Sequence, residues 1–115
     1  MLPAKHRLRR KTDIELVFAK GKNVFDPLCG ARVRKTGLPE TRFAVVVGTK
    51  VSKSAVVRNR LRRRVREIVH HRLSDIAMGY DAVFLVRSEA KAASFSDLEG
   101  HVLHTLRKAG LLSKL

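Results

Sequence analysis

The segment from Ala55 to Leu73 constrains this chain more than any other. Val57, Leu61, Val65, Ile68, Val69 and Leu73 recur at the helical period, so one face of a helix has to be buried. Residues 58–67 nevertheless read Arg-Asn-Arg-Leu-Arg-Arg-Arg-Val-Arg-Glu, with six arginines in nine positions. On a wheel of ~100° per residue, Arg60, Arg63, Arg64 and Arg66 fall opposite the apolar stripe. Such a helix docks one side on a core and presents the other as a row of guanidinium groups. Arg58 and Arg62 project onto the edge of the apolar arc, so either the helix begins later than Ala55 or these two reach specific partners at an interface. Guanidinium forks take phosphate bidentately, so a row of them can follow a nucleic-acid backbone. A charge run is ordinarily a solvated helix face. Six arginines with Lys50 and Lys53 just upstream repel one another too strongly for that reading.

The rest of the chain sharpens the contrast. Twenty-five Lys and Arg against ten Asp and Glu give 115 residues a net charge of +15. Lys50 to Arg72 holds nine basic residues and one acid, a net of +8, whereas Leu73 to Leu106 carries a net of −3. A basic pole on an otherwise ordinary domain is a docking surface for a polyanion, and nucleic acid is the commonest one. A membrane surface would call for Trp or Phe on the apolar side of the basic helix; there is no Trp, and the stripe is aliphatic. No apolar run approaches the ~18 residues of a membrane span. One cysteine, Cys29, excludes an intrachain disulfide or a thiolate cluster and suits a reducing cytoplasm, the expected location.

Along the chain, residues 1–11 read as a flexible basic arm with Lys5, Arg7, Arg9, Arg10 and Lys11, and no apolar segment that would make it a secretory signal. Residues 12–115 read as one domain. Thr12 and Glu15 fit a capping box for a helix carrying Ile14, Val17 and Phe18 on one face, ended by Gly21 as a residue able to take positive φ. One or two strands are expected over 22–35, a turn over 36–40, and a buried strand in Phe43–Val47. After a loop over 49–54 comes the arginine helix, then a second buried strand over 80–87. The last helix is expected to start near Ser96, capped by Ser96 and Glu99, with Phe95, Leu98, Val102, Leu106 and Ala109 inward and Gly110 at its end. The order predicts an α/β (α+β) sandwich with helices packed on a small mixed sheet.

Catalytic chemistry is not legible. His101 and His104 stand at i, i+3 without a nearby carboxylate or thiolate, His70 and His71 point to different helix faces, and Asp97 and Glu99 suit helix-start electrostatics. No catalytic residue and no protein-bound metal is expected. A protein nuclease would need paired carboxylates or a His–metal site. A ribosomal protein or general RNA chaperone remains the alternative on composition alone.

The arginine segment also carries a resemblance. Arg58-Asn59-Arg60, an aliphatic, Arg62-Arg63, then Arg66-Glu67, preceded by Ala55-Val56 and Lys50, resembles the RNR signature of the bacterial ribonuclease P protein family. Arg7-Leu8-Arg9, Asp13, Val17-Phe18 and Gly21 are similar to that family's first helix, and Gly79-Tyr80-Asp81 to the start of its last strand. The likeness spans nearly the whole chain. Departures are Ile14 where many members have Phe, Val51 in place of a second lysine, and Lys53 in the place of a glycine. The resemblance implies the order α-β-β-β-α-β-α and a left-handed β-α-β crossover, against the general right-handed rule. It implies a noncatalytic subunit of a ribozyme that removes the 5′ leader of precursor tRNA, with magnesium held by the RNA subunit. Lys50, Lys53, Arg58, Asn59, Arg60, Arg62, Arg63 and Arg66 would bind that RNA. Ile14, Phe18 and Arg32 would line a cleft for the precursor leader. No membrane and no obligate protein partner is implied.

Overall fold

Strand β2 (Cys29–Lys35) and strand β4 (Tyr80–Val86) form the centre of the sheet, paired antiparallel from Cys29↔Val86 to Lys35↔Tyr80. Strand β1 (Lys22–Val24) adds antiparallel to β2, and strand β3 (Arg42–Val46) adds parallel to β4, giving the order β1-β2-β4-β3. Helix α1 (Lys11–Lys20) precedes β1, helix α2 (Ala55–His71) connects the parallel pair β3 and β4, and helix α3 (Phe95–Lys108) follows β4. This computed structural model describes residues 2–113; Met1 of the expected arm and residues 114–115 of the expected domain lie outside the described residues. The order α-β-β-β-α-β-α is the expected one, interrupted by 3-10 turns at Ala4–His6, Leu73–Asp75 and Ser88–Ala92.

Strand alternation separates two cores. Ala31, Val33, Phe43, Val45, Ala82, Phe84 and Val86 face α2 and α3 and make the larger one, with Phe43 and Phe84 stacked at 6.0 Å between centroids. The α2 stripe supplies Leu61, Val65, Ile68 and Val69, all buried, each worth roughly 1.5–3 kcal/mol relative to exposure. On the opposite face Val83 meets Val17 of α1 and Leu8, flanked by Ile14, Ala44 and Leu85. Helix α1 is short and covers only part of that face. Val46 is therefore 40% exposed, and the run Phe43–Val47 is buried on one side only, not throughout as expected.

Local signals were partly misplaced. Helix α1 starts at Lys11, with Arg10 as the capping position and no side-chain cap; Thr12 lies inside the first turn. Gly21 ends α1 with φ −77°, not a positive angle. Its glycine is required by space, since a Cβ would lie 2.3 Å from the Val17 carbonyl oxygen. Helix α3 is capped by Ser94, whose Oγ accepts from the Asp97 amide at 3.0 Å, so the cap lies two residues before Ser96. Phe95 is consequently at the helix start and 37% exposed, not on the inner face. Gly110, as expected, closes α3 with φ +82°.

The N-terminal segment lies along the edge of β3. Leu2, His6 and Leu8 are buried, Leu8 donates its amide to the Phe43 carbonyl at 2.8 Å, and His6 Nδ1 donates to the Thr41 carbonyl at 2.8 Å. Pairing of this kind blunts an otherwise open sheet edge. Below it Arg42 forms a two-pronged pair with buried Asp81 (2.8 and 2.6 Å) and reaches Asp13 at 3.4 Å, tying β3, β4 and α1 together.

Candidate nucleic-acid interface

Burial of Leu61, Val65, Ile68 and Val69 fixes the rotation of α2, and that rotation decides where each arginine goes. Arg60, Arg63 and Arg66 are exposed, while Arg58, Arg62 and Arg64 are half-buried along the margin of the stripe. The two arginines at the edge of the arc have local partners. Arg58 Nη1 donates to the Ser52 carbonyl at 2.9 Å, and Arg62 Nη1 donates to Asn59 Oδ1. The first bond pins the loop before the helix, where buried Val51 is the anchor and Lys50 and Lys53 point outward. Ser54 caps α2 by accepting from the Val57 amide at 3.3 Å. Lys50, Lys53, Arg58, Asn59, Arg60, Arg62, Arg63 and Arg66 thus share one continuous loop-and-helix surface.

This surface is not neutralised from within. Among the described residues the ion pairs are Arg42 with Asp13 and Asp81, Arg72 with Asp75, and His101 and His104 with Asp26; none involves residues 50–66. Partial burial, together with the like charges of Arg7 and Arg62, holds Arg66 below the ordinary guanidinium range. It remains charged at neutral pH.

Arg7 is a member of this surface that sequence reasoning left in the arm. Its Nε donates to the Leu2 carbonyl at 2.8 Å, and it lines a cleft of about 440 Å³ with Leu2, Arg63, Arg66, Glu67, His70 and His71. The signal available was Leu2, His6 and Leu8 interleaved with the arm's basic residues, which marks a docked segment. Arg7 and Arg66 also line a second cleft of about 280 Å³ with Leu8, Arg9, Ile14, Phe43 and Val46. The arginine surface of α2 therefore runs into the open sheet face beside α1.

On that face Ile14 is half-buried against Leu8, Val17 and Val83, and Phe18, one turn along α1, is 38% exposed. Arg32 of β2 donates from Nη2 to the Phe18 carbonyl at 3.0 Å and places its guanidinium carbon 6.0 Å from the Phe18 ring centroid. The structure brings Phe18 and Arg32 together and sets Ile14 in the adjoining cleft.

One expectation is overturned. His101 and His104 do have a carboxylate neighbour: buried Asp26 accepts from His101 Nδ1 at 3.0 Å and from His104 Nδ1 at 3.3 Å. Even so, among the described residues no group of three or more His, Cys, Asp or Glu side chains is arranged to hold a metal ion. Burial and the nearby Asp26 charge push the Cys29 thiol up to about 12, so it is not a nucleophile near neutrality.

Taken together, the fold and this surface define a small mixed α/β domain that presents a cationic helix beside a partly open sheet face. A family model described as Ribonuclease P matches residues 2–110, and the chain belongs to that family, on the side of its protein component. It is 34% identical to the ribonuclease P protein component of a Pseudanabaena species over 113 residues, covering 97% of each chain. It is 35% identical to that of a Synechococcus species over 121 residues, covering 97% of this chain and 87% of the relative. Among solved structures, the RNase P protein from Thermotoga maritima is 30% identical, with a TM-score of 0.81 over 88% of this chain and 94% of the other. The RNase P protein of Staphylococcus aureus shares the fold with a TM-score of 0.86 at 22% identity, over 94% of this chain and 98% of the other.

Proposed function

We propose that this chain binds a ribonuclease P RNA through the loop-and-helix surface from Lys50 to Arg66, and holds the 5′ leader of precursor tRNA in the cleft beside α1. The observation that carries the reading is the unneutralised arginine row that meets the sheet cleft at Arg7 and Arg66. Lys50, Lys53, Arg58, Asn59, Arg60, Arg62, Arg63 and Arg66 neutralise phosphates of the RNA subunit and release its counterions. Arg58 and Arg62 already spend one donor each on Ser52 and Asn59, which sets the direction of their remaining donors. Phe18 offers a face for a base, Arg32 a cation beside it, and Ile14 an apolar wall.

The protein supplies no catalytic side chain in this reading. Magnesium ions held by the RNA subunit would supply the hydrolytic chemistry. The protein stabilises the active RNA fold and positions the substrate, acting in the cytoplasm without an obligate protein partner.

The test is cleavage of a precursor tRNA by a bacterial ribonuclease P RNA at low magnesium, with and without this protein. Stimulation by the wild type, lost in the Arg58→Ala, Arg63→Ala double variant, is the expected result. Tight, salt-sensitive RNA binding without stimulation would leave only a general RNA-binding protein.

A further inference from the structure

Single exposed apolar side chains are ordinary on protein surfaces, and a 55%-exposed Phe25 would need no comment if it were loose. The backbone that carries it is instead held from three sides. The β1–β2 connection folds back over β2 because residue 30 is glycine: a Cβ there would lie 2.6 Å from the Val24 carbonyl oxygen and 3.2 Å from the Asp26 amide. The Asp26 carboxylate pins the next turn by accepting from the amides of Leu28 and Cys29 at 2.9 and 3.0 Å. Lys108 of α3 donates to the Phe25 carbonyl at 3.3 Å. The backbone that carries Phe25 is therefore fixed while its ring stays largely exposed, which lowers the entropic cost of ordering this turn on a ligand.

A cation stands beside it. The Arg87 guanidinium carbon lies 5.3 Å from the Phe25 ring centroid, and the Arg87 amide donates to the Leu28 carbonyl in the same turn at 2.9 Å. Phe18 and Arg32 form the matching pair nearer α1. Both pairs belong to one face of the sheet. Leu85 flanks the α1 cluster and also lines, with Gly30, Phe25 and Arg87, a hollow of about 110 Å³. Arg32 is in register with Val83, and Arg87 lies four residues beyond Val83, roughly 13 Å at the usual strand rise.

We propose that Phe25 and Arg87 form a second stacking station for single-stranded RNA, taking a different leader nucleotide from the one at Phe18 and Arg32. The inference rests on the leader cleft proposed above and extends it along the sheet. The ring offers a face to any base, and the guanidinium supplies a charge for the adjoining phosphate, so the station reads length more than sequence.

The experiment measures the affinity of the reconstituted holoenzyme for precursor tRNAs whose leaders are extended one nucleotide at a time from none. For Phe25→Ala the expected loss is about tenfold once the leader is long enough to reach the station, and none without a leader. Phe18→Ala loses affinity from a different leader length, because it serves a different nucleotide. Phe25→Trp keeps wild-type affinity, and Arg87→Gln, which leaves the backbone bond of the turn intact, shows a smaller loss with the onset of Phe25→Ala. A Phe25→Ala loss of equal size on leaderless tRNA, or the same onset for both phenylalanines, would overturn the second station. A flat Phe25→Ala series beside a length-dependent Phe18→Ala series would overturn it while leaving the leader cleft standing; flat series for both would remove the cleft as well.

Discussion

Asp26 shows how much one residue can organise at a distance. Its carboxylate is 1% exposed and accepts from the amides of Leu28 and Cys29 and from the imidazoles of His101 and His104. Burial alone would raise its pKa, but the hydrogen bonds from Cys29, Leu28 and His101, with the His101 charge, outweigh that and hold it below the ordinary carboxylate value. A depressed folded-state pKa means that the ionised group's stabilisation is present above the unfolded value, near pH 4, and is lost as pH falls through the folded value. Asp26→Asn keeps the shape but loses the charge and turns a donor toward donors. It is expected to cost about 1–3 kcal/mol at neutral pH, with the penalty beginning to shrink below about pH 4, where the unfolded wild type takes up a proton before the folded one does. Urea denaturation of both proteins from pH 3 to 7 measures this; a penalty that does not change with pH would take the ionised carboxylate out of the account. None of this was legible in the sequence. His101 and His104 look isolated because their acid is 75 and 78 residues away, and only the packing of α3 on β2 brings the three together.

Elements were more legible than their ends. The arginine helix was placed nearly to the residue because its apolar stripe has one phase only, and the same residues fix which arginines are exposed. The third helix shows the opposite case. Ser94 with Asp97, and Ser96 with Glu99, both satisfy the pattern of a cap followed three residues later by an acid, and either start leaves Leu98, Val102 and Leu106 on the same face. The choice is made upstream: Ala90 is buried, the 3-10 turn ends when the Ala93 amide bonds the Ala90 carbonyl, and Ser94 follows in an extended conformation with its hydroxyl turned to the helix. Ser94→Ala is therefore expected to destabilise the protein by about 1 kcal/mol, and Ser96→Ala by much less. Thermal denaturation of the two variants decides between the registers, and the reverse ranking would restore the later start. The first helix was misjudged for a related reason: Thr12 and Glu15 form a plausible box, but docking of Leu8 on Phe43 sets the chain direction so that the helix begins at Lys11.

At the scale of the whole molecule the net charge matters less than where it is concentrated. The protein measures 36 × 34 × 25 Å, several times the ~8 Å screening length at physiological ionic strength, so charges at one pole barely feel the other. What a polyanion meets is the density along α2, whose 17 residues span about 25 Å and whose arginines have no acidic partner among the described residues; Arg72, just past its C-terminus, pairs with Asp75 at 3.4 Å. That distribution predicts two classes of arginine, one along the helix and one at its C-terminal end. Arg60 is exposed and has no acidic partner among the described residues, so an RNA phosphate that it contacts gives up a counterion; Arg72 already has a carboxylate partner and has less to offer. Arg60→Ala is expected to weaken binding to ribonuclease P RNA and to reduce the slope of log affinity against log salt by about 1. Arg72→Ala is expected to leave that slope unchanged. Titrations at several salt concentrations measure both. Equal slope changes would mean that the RNA responds to the overall field of the protein, and the arginine row would lose its claim to be the contact surface.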